Sequence, residues 1–199
     1  MTELTLDNDL IRQMRNGDKS AFTALYRRHH PAVYRYAVLR CGSVSAAADI
    51  VQEVFIGLLS NTFQYDALKG ELRYFLFGVA RFKAMKLDAL NSKYPQFMNA
   101  QAIEDEFEDV IAELVCEDKN PLEKLLHNQL AEDLRLAISS LAPHYRDVFI
   151  LFELQDLPYL EIAEICQINV GTVRSRLSRA RVALAQRLAP HNTQYALRA

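Results

Sequence analysis

The sequence predicts an all-α protein: two helical domains joined by an acidic linker. Three observations carry that prediction. Apolar residues recur at spacings of three and four over most of the chain. Only six glycines and six prolines occur in 199 residues, which favours long helices over turn-dense β structure. Between Gln96 and Glu123 nine acids stand against a single base, Lys119. The expected boundaries are therefore 10–95 for the first domain, 96–124 for the linker and 125–190 for the second domain.

Helical periodicity becomes strong near Asp18. Phe22, Leu25, Tyr26 and His29 form one apolar series, and Val33, Tyr34, Ala37 and Val38 form the next. Pro31 between them predicts a kink or a junction. Residues 46–60 read as an amphipathic helix, with Ile50, Val54 and Leu58 in one apolar row and Val51, Phe55 and Leu59 in the adjacent one. Asp49, Gln52 and Glu53 occupy the opposite face. Asp66 and Lys69-Gly70 signal a turn, after which Leu72, Phe75, Leu76 and Val79 mark a helix to about Ala89.

Beyond the acidic segment, Leu130, Leu134, Ile138 and Leu141 restart the period. Pro143 suits the first turn of a helix carrying Val148, Leu151 and Phe152, and Pro158 suits the start of the one after it.

Composition narrows the function. Cys41, Cys116 and Cys166 lie far apart without CxxC spacing, which argues against zinc or a disulfide framework and suits a reducing cytoplasm. Adjacent His29 and His30 would point about 100° apart on a helix and do not converge on one ion. No phosphate-cradling glycine loop or Ser/His/Asp set stands out. The expectation is no enzyme, no cofactor and no metal. The N-terminal stretch lacks the apolar core of a signal peptide. No apolar run approaches the roughly 20 residues of a membrane span, so no membrane insertion is expected.

Residues 159–188 carry the most chemistry. They read as a helix, a tight turn and a second helix whose charges from Val170 to Leu188 are all arginine: Arg174, Arg176, Arg179, Arg181 and Arg187. The whole chain is formally −2, so this cationic surface is local. A helix-turn-helix lays its second helix in the DNA major groove, and a one-sided basic helix is the electrostatic footprint of such binding. Asn169 is a good N-cap for that helix, and Val173 and Leu177 face inward. Arg174, Ser175, Ser178 and Arg179 share an outward face near its start, where base edges are reached. Arg176, Arg181 and Arg187 suit phosphates.

Two separated motifs, DIVQEVFIGLL (Asp49–Leu59) and EIAEICQINVGTVRSRLSRAR (Glu161–Arg181), resemble regions 2.2 and 4.2 of the sigma-70 family of bacterial RNA polymerase sigma factors. The similarity is greatest to the small extracytoplasmic-function (ECF) group. It implies binding to core RNA polymerase and to promoter DNA, without catalytic activity, and control by an anti-sigma factor or another regulatory partner. It assigns Asp49, Gln52 and Glu53 to the polymerase clamp. Arg174, Ser175, Arg176, Ser178 and Arg179 fall to the −35 element, and Tyr65, Lys69, Arg73, Arg81 and Phe82 to the −10 element. The loop Phe63–Leu72 corresponds to the one that holds a flipped base.

The chain departs from the family pattern in three places. Ala46, Ala47 and Ala48 stand where acids usually precede the DxxQE stretch. A phosphoryl group on Ser43, Ser45, Ser60 or Thr62 would restore negative charge there. Phe82 replaces a common asparagine. Gln167 occupies a turn position often held by glycine, which suits glutamine only if the backbone there avoids the left-handed region. Two other readings stay open: a helix-turn-helix regulator that binds an operator, and a sigma-like interaction module without initiation activity.

Overall fold

The computed structural model describes residues 3–93 and 132–196. The expected linker, 96–124, and Cys116 lie outside the described residues. Every regular element among the described residues is helical. The chain divides into two compact units, one drawn from Met1–Ala37 and Ser45–Met98, the other from Val38–Val44 and Asn99–Ala199.

The first unit is built on α1 (Glu3–Arg15), α2 (Lys19–Cys41), α3 (Val44–Leu59) and α4 (Leu72–Lys93). Asp18 starts α2: its Oδ1 accepts the backbone N–H of Ser20 at 2.8 Å and the Ser20 hydroxyl at 2.7 Å, satisfying a donor that the first turn leaves open. Pro31 lies inside α2, which runs through it as one helix and not as two joined pieces. A proline there deletes a backbone hydrogen bond; burial of Leu25, Val33, Tyr36 and Ala37 along the same helix outweighs that loss. Tyr36 meets Phe77 of α4 edge-on, with ring centroids 5.6 Å apart.

The helix α1 precedes the start expected near Asp18. It packs on α4 and buries Ile11 and Met14. It is tied to α2 by polar contacts. The buried Asp7 carboxylate accepts from His29 Nε2 at 2.8 Å and pairs with Arg28. Burial alone would raise the Asp7 carboxyl; hydrogen bonding and charge from His29 and Arg28 together outweigh it and hold the group below the usual carboxylate range.

The second unit holds a helical segment at 132–139, then α5 (Pro143–Phe149), continued by a π turn over Ile150–Leu154, α6 (Tyr159–Cys166) and α7 (Val170–Ala196). Pro143 stands in the first turn of α5, as its missing N–H requires. In the π turn the Gln155 N–H reaches back to the Ile150 carbonyl at 3.1 Å. Leu151, Leu157, Ile162, Val173 and Leu177 are fully buried. Arg146 donates to the Leu141 carbonyl at 2.9 Å and to the Ser139 carbonyl, closing the end of the preceding segment.

Candidate functional site

Three surfaces hold the residues singled out by the sequence. The first is α3. Ile50, Val51, Val54, Phe55 and Leu58 are buried, which leaves Asp49, Gln52 and Glu53 exposed. The 3.6-residue period places those three on one side. Glu53 is ion-paired with Lys83 of α4. Leu59, expected in the inner apolar row, is 53% exposed, and Ile56 is similarly open. The helix ends at Leu59, so its last side chain passes beyond the core that holds Phe55.

Beside the polar face lies a shallow cleft lined by Tyr26, His30, Val51, Gln52, Phe55 and Ile56. Its wall is a ladder of rings one turn apart on α2. Tyr26 and His30 lie 4.7 Å apart, and His30 stacks on Tyr34 at 5.6 Å. Phe55 of α3 meets Tyr26 at 4.8 Å. Burial pushes the His30 imidazole below its usual value.

The second surface is the loop between α3 and α4 with the outer side of α4. Tyr65, assigned by resemblance to DNA, is 6% exposed. Its phenol donates to the Gly70 carbonyl at 3.0 Å and lies 3.1 Å from the Asn8 side-chain amide, and its backbone carbonyl accepts from Arg15 at 3.0 Å. The ring is thus an anchor of the loop, closed to stacking by a base in this conformation. Burial, and then the carboxylates of Asp7, Glu71 and Asp66, push the phenol above its ordinary pKa.

The other predicted residues of this surface are more open. Lys69 is exposed and sits 3.8 Å from Asp66. Phe82 is 51% exposed, with the Lys86 ammonium 4.7 Å from its ring centre. Arg73 and Arg81 are half-buried, and Arg73 lies over the Phe77 ring.

Two features of this loop escaped the sequence reading. Leu68 is 95% exposed at the tip of a turn in which the Lys69 N–H reaches the Asp66 carbonyl at 3.0 Å. A lone exposed leucine has no periodicity to announce it. Phe63 sits directly on Gly57, where a Cβ would overlap its ring, and Lys83 covers the same ring at 5.5 Å. The four candidate phosphorylation sites flank α3. Ser45, Ser60 and Thr62 are exposed and Ser43 is half-buried; the Ser60 and Thr62 hydroxyls are 2.8 Å apart.

The third surface is the helix-turn-helix. α6 ends at Gln167, which takes φ 55 and ψ 49, the left-handed region. The condition under which glutamine would suit this turn, a backbone outside that region, is therefore not met. The turn needs that conformation so that the Ile168 N–H can return to the Ala163 carbonyl at 2.9 Å. Asn169 then caps α7, its Oδ1 accepting the Thr172 N–H at 2.8 Å. Val173, Leu177, Ala180 and Leu184 form the buried stripe of α7. The outward side displays Arg174, Ser175, Ser178 and Arg179, with Arg176 half-buried.

These arginines are held differently. Arg174 lies over the Tyr159 ring, 5.7 Å from its centre. Arg179 is 3.3 Å from the Tyr145 hydroxyl. Arg181 donates to Glu153 at 2.7 Å. The Ser175 hydroxyl turns back to the Thr172 carbonyl at 3.0 Å.

No group of three or more His, Cys, Asp or Glu among the described residues is arranged to hold a metal ion. No described helix is long and apolar enough to cross a membrane. The Cys166 side chain is buried and that of Cys41 half-buried.

The family model for sigma-70 region 2 matches residues 25–89, and the model for sigma-70 region 4 matches residues 131–184. The ECF RNA polymerase sigma-E factor of Escherichia coli K12 is 32% identical over 193 residues, covering 96% of this chain and 98% of the relative. The ECF RNA polymerase sigma factor SigW of Bacillus subtilis is 28% identical over 179 residues, covering 89% of this chain and 94% of the relative. Among solved structures, the sigma factor RpoE of Bartonella quintana, in complex with the anti-sigma factor NepR, has a similar fold at TM-score 0.64 and 21% identity, covering 84% of this chain and 96% of that one. CnrH in complex with the cytosolic domain of CnrY gives TM-score 0.63 at 20% identity, covering 93% and 98%. The capped helix-turn-helix, the DIVQE helix and full-length similarity to sigma factors agree: the chain belongs to the sigma-70 family, in its group of ECF RNA polymerase sigma factors.

Proposed function

We propose a division of labour for this alternative sigma factor, which directs core RNA polymerase to particular promoters. α7 reads the −35 element through Arg174, Ser175, Arg176, Ser178 and Arg179. The exposed face of Asp49, Gln52 and Glu53 binds the polymerase clamp. The loop after α3, with Lys69, Arg73, Arg81 and Phe82, meets the −10 element, and Tyr65 holds that loop in shape. The domains run over 10–95 and 125–190, with the acidic stretch 96–124 as linker. The protein works in the cytoplasm without a cofactor or a reaction of its own; the polymerase forms the bonds. An anti-sigma factor or another regulatory partner controls it.

The observation that carries the reading is α7. A helix whose charges over Val170–Leu188 are all arginine is fixed by an Asn169 cap and a buried stripe, so its outward side is held in one orientation. Base contacts need such fixed geometry, because a bidentate arginine–guanine pair discriminates by about 1–3 kcal/mol only when both forks align.

Phosphorylation at Ser43, Ser45, Ser60 or Thr62 strengthens core binding. It would place about −1.5 to −2 charge at an end of α3, where Ala46, Ala47 and Ala48 supply none. Alanine and aspartate variants at these four positions, compared for core affinity, test it; equal affinities would end the idea.

Run-off transcription with purified core polymerase and genomic promoter fragments tests the main reading. Promoter-specific transcripts should appear and should vanish with Arg174→Ala/Arg179→Ala. No transcript from a folded protein that binds core would favour a missing activating modification or an interaction module. Binding to palindromic DNA as a dimer without core would favour an operator regulator.

A further inference from the structure

Arg174 ends a column of four side chains in pairwise contact, cation to ring to ring to cation. Its guanidinium lies 5.7 Å from the centre of the Tyr159 ring. That ring stacks on Phe152, with centroids 4.9 Å apart and planes 20° from parallel. Arg181 also lies over the Phe152 ring, at 5.5 Å, and in turn pairs with Glu153. The two arginines stand on one side of α7, two turns apart. The two rings come from the π turn and from the first residue of α6.

The two ends of the column are chemically unequal. Arg181 spends its fork on a carboxylate, donating Nε to Glu153 at 2.7 Å. Arg174 meets its neighbour as a cation over the face of a ring, with its Cζ 5.7 Å from the ring centre. A cation over a ring uses the π face and leaves the N–H edge free to donate. An exposed arginine otherwise carries substantial rotamer entropy, which it must lose before gripping a base. Stacking on a fixed ring removes part of that freedom in advance without consuming a donor. An ion pair would remove it too, but would occupy the fork.

We propose that Tyr159, backed by Phe152, is a positioning residue for promoter specificity: it holds the Arg174 fork edge-outward toward the base that Arg174 reads. The proposal rests on the −35 reading of Arg174 given above. It assigns a recognition role to two residues outside the recognition helix.

The test uses holoenzyme reconstituted from core polymerase and the full-length protein. Holoenzyme selects from a duplex library in which the −35 region of a recovered promoter is randomised. The position that loses preference in Arg174→Ala is the Arg174 position. Tyr159→Leu should reduce preference at that same position about tenfold, within the span of an arginine–guanine contact. The other positions and the salt dependence of binding should stay as in the parent. Tyr159→Phe keeps the ring and should keep the preference. Phe152→Leu, which leaves Tyr159 in place but unbacked, should give a smaller loss at that position and guards against Tyr159→Leu failing to fold. Unchanged preference in both leucine variants would overturn the proposal, as would a uniform loss at every position. If Arg174→Ala itself alters no position, the underlying −35 assignment fails first and takes this one with it.

Discussion

Gln167 sits in a backbone region that disfavours residues with a Cβ by roughly 1–2 kcal/mol. Gln167→Gly should therefore stabilise the second unit by about 0.5–1 kcal/mol, once the greater unfolded-state freedom of glycine is subtracted. Denaturant unfolding checks this, and an unchanged or lower midpoint would refute it. Asp7 gives a pH-dependent counterpart in the first unit. Its folded pKa lies below its unfolded value, so its contribution to stability is fully present above about pH 4 and is lost as pH falls through the lower folded value. Asp7→Asn should be less stable than the parent at pH 7, and the gap should narrow at pH 2–3; an equal gap at both would refute the linkage. Single residues were also where the sequence was hardest to read. The resemblance assigns Tyr65 to the −10 element, and an aromatic in a polar loop has no periodic context to show which way it faces. Its burial depends on Asn8 and Arg15, fifty or more positions away.

Helices with regular apolar spacing were legible: α3, α4 and the pair α6 and α7 fall where the pattern put them. What the pattern hid has physical causes. α1 carries Asp7 on its inner side, so its buried face does not look apolar. Pro31 suggested a kink or a junction, and the helix runs through it as one element because tertiary burial overrode the local cost. The π turn adds one residue to a helix without any residue type to mark it. In α7 two substitutions separate helix formation from DNA contact. Asn169→Ala should destabilise the second unit by about 1 kcal/mol through loss of the cap. Glu153→Gln should leave stability nearly unchanged, because the ion pair is partly solvated. It should instead release Arg181 to a phosphate and steepen the salt dependence of promoter binding by about one ion. A slope equal to that of the parent would show that Arg181 never reaches DNA.

Across the whole molecule the charge balance is nearly neutral, and the arrangement of charge matters more than the sum. A chain of formal charge −2 presents an all-arginine helix surface in one unit and carboxylates on α3 in the other. The all-arginine surface and these carboxylates are thereby separated by sequence region. Lowering salt should strengthen promoter capture by holoenzyme, and replacing both Arg176 and Arg187 with alanine should reduce the slope of log affinity against log salt by about two. A slope change without loss of promoter choice would assign them to phosphates. Membership of the family was readable because it rests on two motifs in fixed order. The fine division of contacts was not, since Arg174, Arg179 and Arg181 lie against aromatic side chains contributed by Tyr159, Tyr145 and Phe152.

The seat of Phe63 on Gly57 makes those two positions a single unit of inheritance. Alanine at 57 alone meets the ring, and smaller residues at 63 alone leave a hollow over the helix. Substituting both relieves the first fault with the second. The energies of Gly57→Ala and Phe63→Ala should therefore combine to less than their sum.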